Sequence, residues 1–145
     1  MWTAEVILVC ALNMLGRSAA SLPPIELVRT VPVDVSATAE GFVRPGDRRI
    51  YLVATTSAFQ SAQLSLDRCG NTMAIRKIAS VLIHEEVHLK QGAGERAAYE
   101  AQLTTLTALG AGPTTAVYRG VVLSMREALK KQNAKPAGLL AASLP

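Results

Sequence analysis

The spacing of apolar and polar positions divides the chain into an apolar opening, two strand-like segments and a run of helices. Residues 6–15 (VILVCALNML) are almost wholly apolar, a stretch too short to span a bilayer as a helix. After Pro23-Pro24, residues 25–35 alternate. Ile25, Leu27, Val31, Val33 and Val35 fall on one face, and Glu26, Thr30 and Asp34 on the other. Period two in a β-branched run predicts a half-buried strand. Pro32 has no N–H to give to a ladder, so the strand is expected at a sheet edge or broken there. Residues 41–47 (GFVRPGD) read as a turn punctuated by Pro45-Gly46. Residues 48–55 (RRIYLVAT) read as a second strand able to pair with the first as a hairpin.

Helical spacing takes over beyond this point. Residues 57–66 suit a short helix. Asp67-Arg68-Cys69-Gly70-Asn71 is a break, with Asn71 placed to cap a long helix over residues 72–91. Ala74, Ile78 and Leu82, with Ile75 and Val81, form its apolar face. Gly92-Ala93-Gly94 ends that helix, because glycine supplies the left-handed conformations that helix ends use. A second helix spans residues 95–109 and stops at Gly110-Ala111-Gly112-Pro113. A third starts at Pro113, a residue suited to a first turn, and carries Val117, Val121, Met125 and Ala128 at helical spacing. Residues 135–145, rich in Ala, Pro and Gly, predict a flexible tail. With no repeat and no linker, the fold class is α+β: a small β-sheet or hairpin followed by three helices, as a single domain over residues 21–134.

Composition adjusts this picture in three places. Half of the 145 residues are hydrophobic but only 4 % are aromatic, so the core is built from Ala, Leu, Val and Ile. The net charge of +4 comes from lysines and arginines scattered singly or in pairs, not from the dense basic patch with interleaved aromatics that nucleic-acid binding calls for. The apolar opening precedes Ser18-Ala19-Ala20, small residues of the kind a signal peptidase reads, although Glu5 and the lack of Lys or Arg before it weaken the match. The expectation is a signal peptide over residues 1–20 and a secreted or periplasmic protein, with an amphipathic first helix and a cytoplasmic protein as the alternative. Stable membrane insertion is not expected. Cleavage there would remove Cys10 and leave Cys69 alone, a small core residue in a loop.

The chain has two histidines, and both lie in His84-Glu85-Glu86-Val87-His88. Four residues apart on a helix, the two imidazoles share a face and can reach one metal ion, while Glu85 can reach a water held by it. This is the H-E-x-x-H pattern, two zinc ligands plus a carboxylate general base. A catalytic zinc takes three protein ligands and leaves a fourth position for water, so a third ligand is needed. The candidates are Glu95 and Glu100. In an αα-hairpin turning at Ala93, Glu100 would lie opposite the midpoint of the two histidines and Glu95 beside the last helical turn. Glu86 points away from the histidine face, towards solvent.

With these residues the chain resembles a minimal gluzincin-type, zincin-like metallopeptidase, in which H-E-x-x-H precedes a glutamate on a later helix that opens an E-x-x-A-[DNY] pattern. Glu95-Arg96-Ala97-Ala98-Tyr99 matches that pattern. The resemblance covers roughly residues 48–110. It implies His84, His88 and Glu95 as ligands of a Zn²⁺ cofactor, Glu85 as the base, and a small sheet beside the metal helix. It also implies hydrolysis of a peptide or protein substrate, which could lie antiparallel along an edge strand containing residues 50–53. Two other readings stand beside it: a catalytically idle zinc-holding domain that binds a partner through its helices, and a plain α+β domain without metal.

Overall fold

The computed structural model describes residues 1–92 and 94–143, with side chains described as far as residue 133. Ala93 and residues 144–145 lie outside the described set. So do the side chains of the tail expected over residues 135–145. The class is α+β: among the described residues there are five α-helices and one three-stranded sheet.

The apolar opening is helix α1, Ala4–Leu15. Thr3 caps it by accepting from the Val6 N–H, and Gly16, at φ +67°, closes its other end. Within residues 1–20, expected to be a signal peptide, the buried face of α1 forms part of the core. Ile7, Cys10, Ala11 and Leu12 are buried against Ile75, Ile78, Ala79 and Leu82, and against Phe59 and Ala62. The physical reason is the apolar face of the long helix, which is wider than the sheet alone can cover. Cys10 is bonded to Cys69, so the lone-cysteine expectation gives way to a disulfide joining α1 to the loop at residues 67–71.

The first strand is shorter than the alternation predicts. β1 is Ile25–Val28, and the chain then leaves the sheet, with Val33 fully exposed. Pro32 cannot donate to a ladder, and Arg29 and Thr30 begin a polar turn. β2 is the pair Gly41–Phe42, which the sequence places in a turn, and β3 is Ile50–Val53. The sheet order is β1-β3-β2, with β1 parallel and β2 antiparallel to β3. The expected hairpin is therefore not formed, since β1 and β3 run the same way with a 21-residue crossing between them (residues 29–49). The turn itself survives a little later, where the Asp47 N–H bonds to the Arg44 carbonyl across Pro45 and Gly46.

Helix α2, Ser57–Gln63, packs on α3, Thr72–Gln91, whose N-terminus is capped by the Asn71 side chain at 3.1 Å from the Ala74 N–H. At 20 residues α3 is about 30 Å long. It forms the axis of the molecule, touching α1, α2, α4, β2 and β3. Helix α4, Glu95–Ala108, folds back along it. Helix α5, Ala116–Ser143, begins three residues after Pro113 because the Thr115 hydroxyl accepts from the Tyr118 N–H and caps it there. A second, smaller apolar cluster of Leu103, Leu106, Ala111 and Val121 joins α4 to α5.

Candidate metal centre

The motif lies in the last two turns of α3, where His84 and His88 stand one turn apart with ring centroids 4.9 Å from each other. Their Nε2 atoms are separated by 3.2 Å. The tight turn at Gly92 and Gly94 brings the first residue of α4 alongside, and Glu95 Oε1 comes to 2.5 Å from His88 Nε2 and 3.8 Å from His84 Nε2. Glu100 is exposed. It sits about 140° around α4 from Glu95, whereas positions 95, 99 and 102 share one face. The two candidates for a third ligand are thus separated by geometry: Glu95 is at the histidines and Glu100 faces solvent.

The other ring nitrogens determine what the three atoms can do. His84 Nδ1 lies 2.8 Å from Gln102 Oε1, and His88 Nδ1 lies 3.0 Å from the Gly92 carbonyl. Both partners are acceptors, so each imidazole donates from Nδ1 and, when neutral, carries its lone pair on Nε2. Two such nitrogens and a carboxylate oxygen then converge. At these distances the three atoms can share one cation, either a proton on His88 or a metal ion. The donor set, two imidazoles and a carboxylate, is one that zinc accepts.

Glu85 lies between α3 and β2 and is 5 % exposed. Ligand atoms of His84, Glu85 and His88 all lie within 4.8 Å of one another. Room for the Glu85 side chain depends on Gly41. A Cβ at that position would stand 3.1 Å from Glu85 Cγ, Val81 Cγ1 and the Tyr51 carbonyl oxygen. Burial pushes the Glu85 carboxyl up to about 7, against the pull of the two histidines. His88 is raised to about 9, chiefly by its hydrogen bond to Glu95. Burial alone would raise Glu95, but its pairing with His88 at 2.5 Å, helped by His84 at 3.8 Å, outweighs it and holds the group down at about 2.

Tyr99 packs edge-on against the His84 ring at 4.4 Å, and burial lifts its phenol to about 12. An open cleft of about 770 Å³ runs over the site, bordered by β2 on one side and by Leu123 and Ser124 of α5 on the other.

Two sequence expectations are corrected around the centre. Glu86, expected in solvent, is 6 % exposed and holds Arg17 through two 2.8 Å bonds, with Lys90 Nζ at 3.4 Å. It turns inward because Arg17, just beyond α1, gives it a charged partner. The edge strand proposed to hold substrate, residues 50–53, is the central strand β3; the edge next to the motif is β2. Gln102, Ser80 and Gly41 were not picked out from the sequence. Gln102 had a readable signal, since it is the polar member of a buried stripe at every fourth position, Ala98, Gln102 and Leu106.

No protein-family model matches this chain, and no curated protein or solved structure matches it.

Proposed function

We propose that this chain is a zinc-dependent metallopeptidase domain of the zincin kind, with His84, His88 and Glu95 as ligands and Glu85 as general base. The observation that carries the reading is the convergence of His84 Nε2, His88 Nε2 and Glu95 Oε1, with both Nδ1 atoms already committed to acceptors. When bound, zinc would supply Lewis acidity, making a water acidic near neutral pH and polarising a peptide carbonyl. Glu85, its carboxyl at about 7, is suited to take a proton from the attacking water and hand it to the leaving amine. Its burial against β2 fixes the carboxylate while leaving it beside the cleft.

The backbone of β2 supports a peptide as the substrate. The Val53 N–H bonds to the Glu40 carbonyl at 3.0 Å, which makes Gly41 and Leu52 a non-hydrogen-bonded pair of the antiparallel ladder. The N–H and C=O of Gly41 therefore face away from β3, towards the free edge. An extended peptide added there would meet the same residue that packs on Glu85. The Cys10–Cys69 disulfide supports an oxidising compartment for this activity, secreted or periplasmic. Nucleic acid is not a partner in this reading.

The test is zinc content of purified wild type, His84→Ala, Glu95→Ala and Glu100→Ala, followed by peptide hydrolysis with a Glu85→Gln control. One equivalent in wild type and in Glu100→Ala, lost from the other two, supports the site. Hydrolysis abolished in Glu85→Gln supports the enzyme. Folded wild type that takes up no zinc removes the reading. Zinc uptake without hydrolysis leaves the idle zinc-holding domain.

A further inference from the structure

We infer that Gln102 and Ser80 are positioning residues, which fix His84 with its Nε2 lone pair on the metal side through a chain of hydrogen bonds that ends on the Lys77 carbonyl. The inference rests on the metal reading above for its purpose, but its geometry stands independently.

The chain starts at a backbone carbonyl. Ser80 Oγ donates to the Lys77 carbonyl at 2.7 Å, so its single proton is used. Gln102 Nε2 lies 3.2 Å from the same oxygen, which can then only accept, so the amide nitrogen of Gln102 points at Ser80. The amide oxygen is thereby turned towards α3, 2.8 Å from His84 Nδ1, and that nitrogen must be the donor. Each step removes a choice: the hydroxyl rotor is set by the carbonyl, the amide orientation by the hydroxyl, and the imidazole tautomer by the amide. Ser80 is fully buried, Gln102 is 3 % exposed and His84 is 8 % exposed, so these bonds are largely shielded from water.

The direction matters because the neighbouring charge favours the opposite arrangement. Glu95 Oε1, 3.8 Å from His84 Nε2, would stabilise a proton on that nitrogen, the atom a metal needs free. A flipped Gln102 amide would do the same from the other side, by presenting a donor to Nδ1. Holding the amide at Ser80 blocks both outcomes. A partner of this kind on the far nitrogen of a ligand histidine orients the ring, and losing it commonly weakens metal affinity by about 10- to 100-fold. Gln102 spans α4 to α3, so the same bonds also set how the two helices carrying the three ligands sit against each other.

The experiment uses full-length, ¹⁵N-histidine-labelled protein with Gln102→Leu, Gln102→Glu and Ser80→Ala. In chelator-treated protein at alkaline pH, the ¹⁵N signals of His84 report which nitrogen holds the proton. Zinc affinity is measured by competition with a chromophoric chelator. The expected result is Nδ1–H in wild type and in Gln102→Glu, which keeps an acceptor there, and a shift towards Nε2–H in Gln102→Leu. Zinc affinity should fall about 10- to 100-fold in Gln102→Leu, fall less in Ser80→Ala, and stay near wild type in Gln102→Glu. A purely structural role would lower the unfolding temperature without moving the tautomer. An unchanged tautomer and unchanged zinc affinity in Gln102→Leu overturns the inference. If Gln102→Leu does not fold, Ser80→Ala and Gln102→Glu decide by the same two readouts. If wild type binds no zinc but its Nδ1–H signal is lost in Gln102→Leu, the hydrogen-bond chain stands and the metal reading falls.

Discussion

Removing residues 1–20, the cut that a signal peptidase would make after Ala20, is predicted to unfold the domain. Ile7 is fully buried and Leu12 nearly so, and burying a side chain of this size contributes about 2 kcal/mol. The Cys10–Cys69 bond closes a span of 59 residues, for which the chain-entropy model gives about 4 kcal/mol. Loss of Arg17 would leave the buried Glu86 carboxylate with only Lys90 at 3.4 Å. Breaking a buried pair costs about 3–5 kcal/mol, less here because the Arg17 side chain is 28 % exposed. Together these losses are comparable to the entire stability of an ordinary domain, about 5–15 kcal/mol. Urea unfolding followed by far-ultraviolet circular dichroism is the suitable assay, since the single tryptophan, Trp2, leaves with the deleted segment. The cysteine pair can be tested separately: Cys10→Ser with Cys69→Ser should lower the unfolding temperature by about 10 °C. A chain of residues 21–145 that unfolds cooperatively at the full-length midpoint would refute the reasoning.

Three further predictions concern the site. With His88 at about 9, the chelator-treated protein holds a proton there at pH 7. Zinc binding should therefore release about one proton, and affinity should climb about tenfold per pH unit up to about 9, as calorimetry in buffers of different ionisation enthalpy would show. Levelling off near 6.5 would contradict the His88–Glu95 pairing. In the same chelator-treated protein, His88 is raised above its ordinary 6.5, so its stabilisation is complete below 6.5 and lost as pH rises through about 9. Glu95 is lowered below its ordinary 4.5, so its contribution is present above 4.5 and lost as pH falls towards about 2. The pair's contribution to thermal stability should thus be greatest between 4.5 and 6.5, and Glu95→Gln should flatten that maximum. Gly41→Ala should destabilise by about 1–3 kcal/mol through contact with Glu85 and Val81, measurable by urea unfolding. Zinc content should be retained while hydrolysis falls.

Local patterns were legible where one element determines its own form. Asn71 caps α3, glycines 92 and 94 bracket the turn, and His84 and His88 share a helix face, all as their spacing predicts. What was not legible depends on partners distant in sequence. Alternation over residues 25–35 gives no direction of pairing; β1 is parallel to β3 because the chain first forms β2 on the other side of β3 and reverses into β3 through the turn at residues 44–47. Glu86 reads as a surface residue until Arg17, 69 positions earlier, is brought beside it. Gln102 and Ser80 looked like ordinary polar residues in helices, because the bond between them requires the α3–α4 packing. Glu95 against Glu100 was a question about the radius of a turn, which residue types alone do not state.

The docking of α1 on α3 also has a consequence in time. The partner surface for residues 4–15 is not complete until residue 91 has been made, so at about 5–20 residues per second the first helix waits roughly 4–15 s for its covering. Throughout that interval a ribosome-bound chain presents a bare apolar decamer, residues 6–15, a surface that holding chaperones can bind. The helix that closes the core in the finished molecule is, during synthesis, an address any such factor can read.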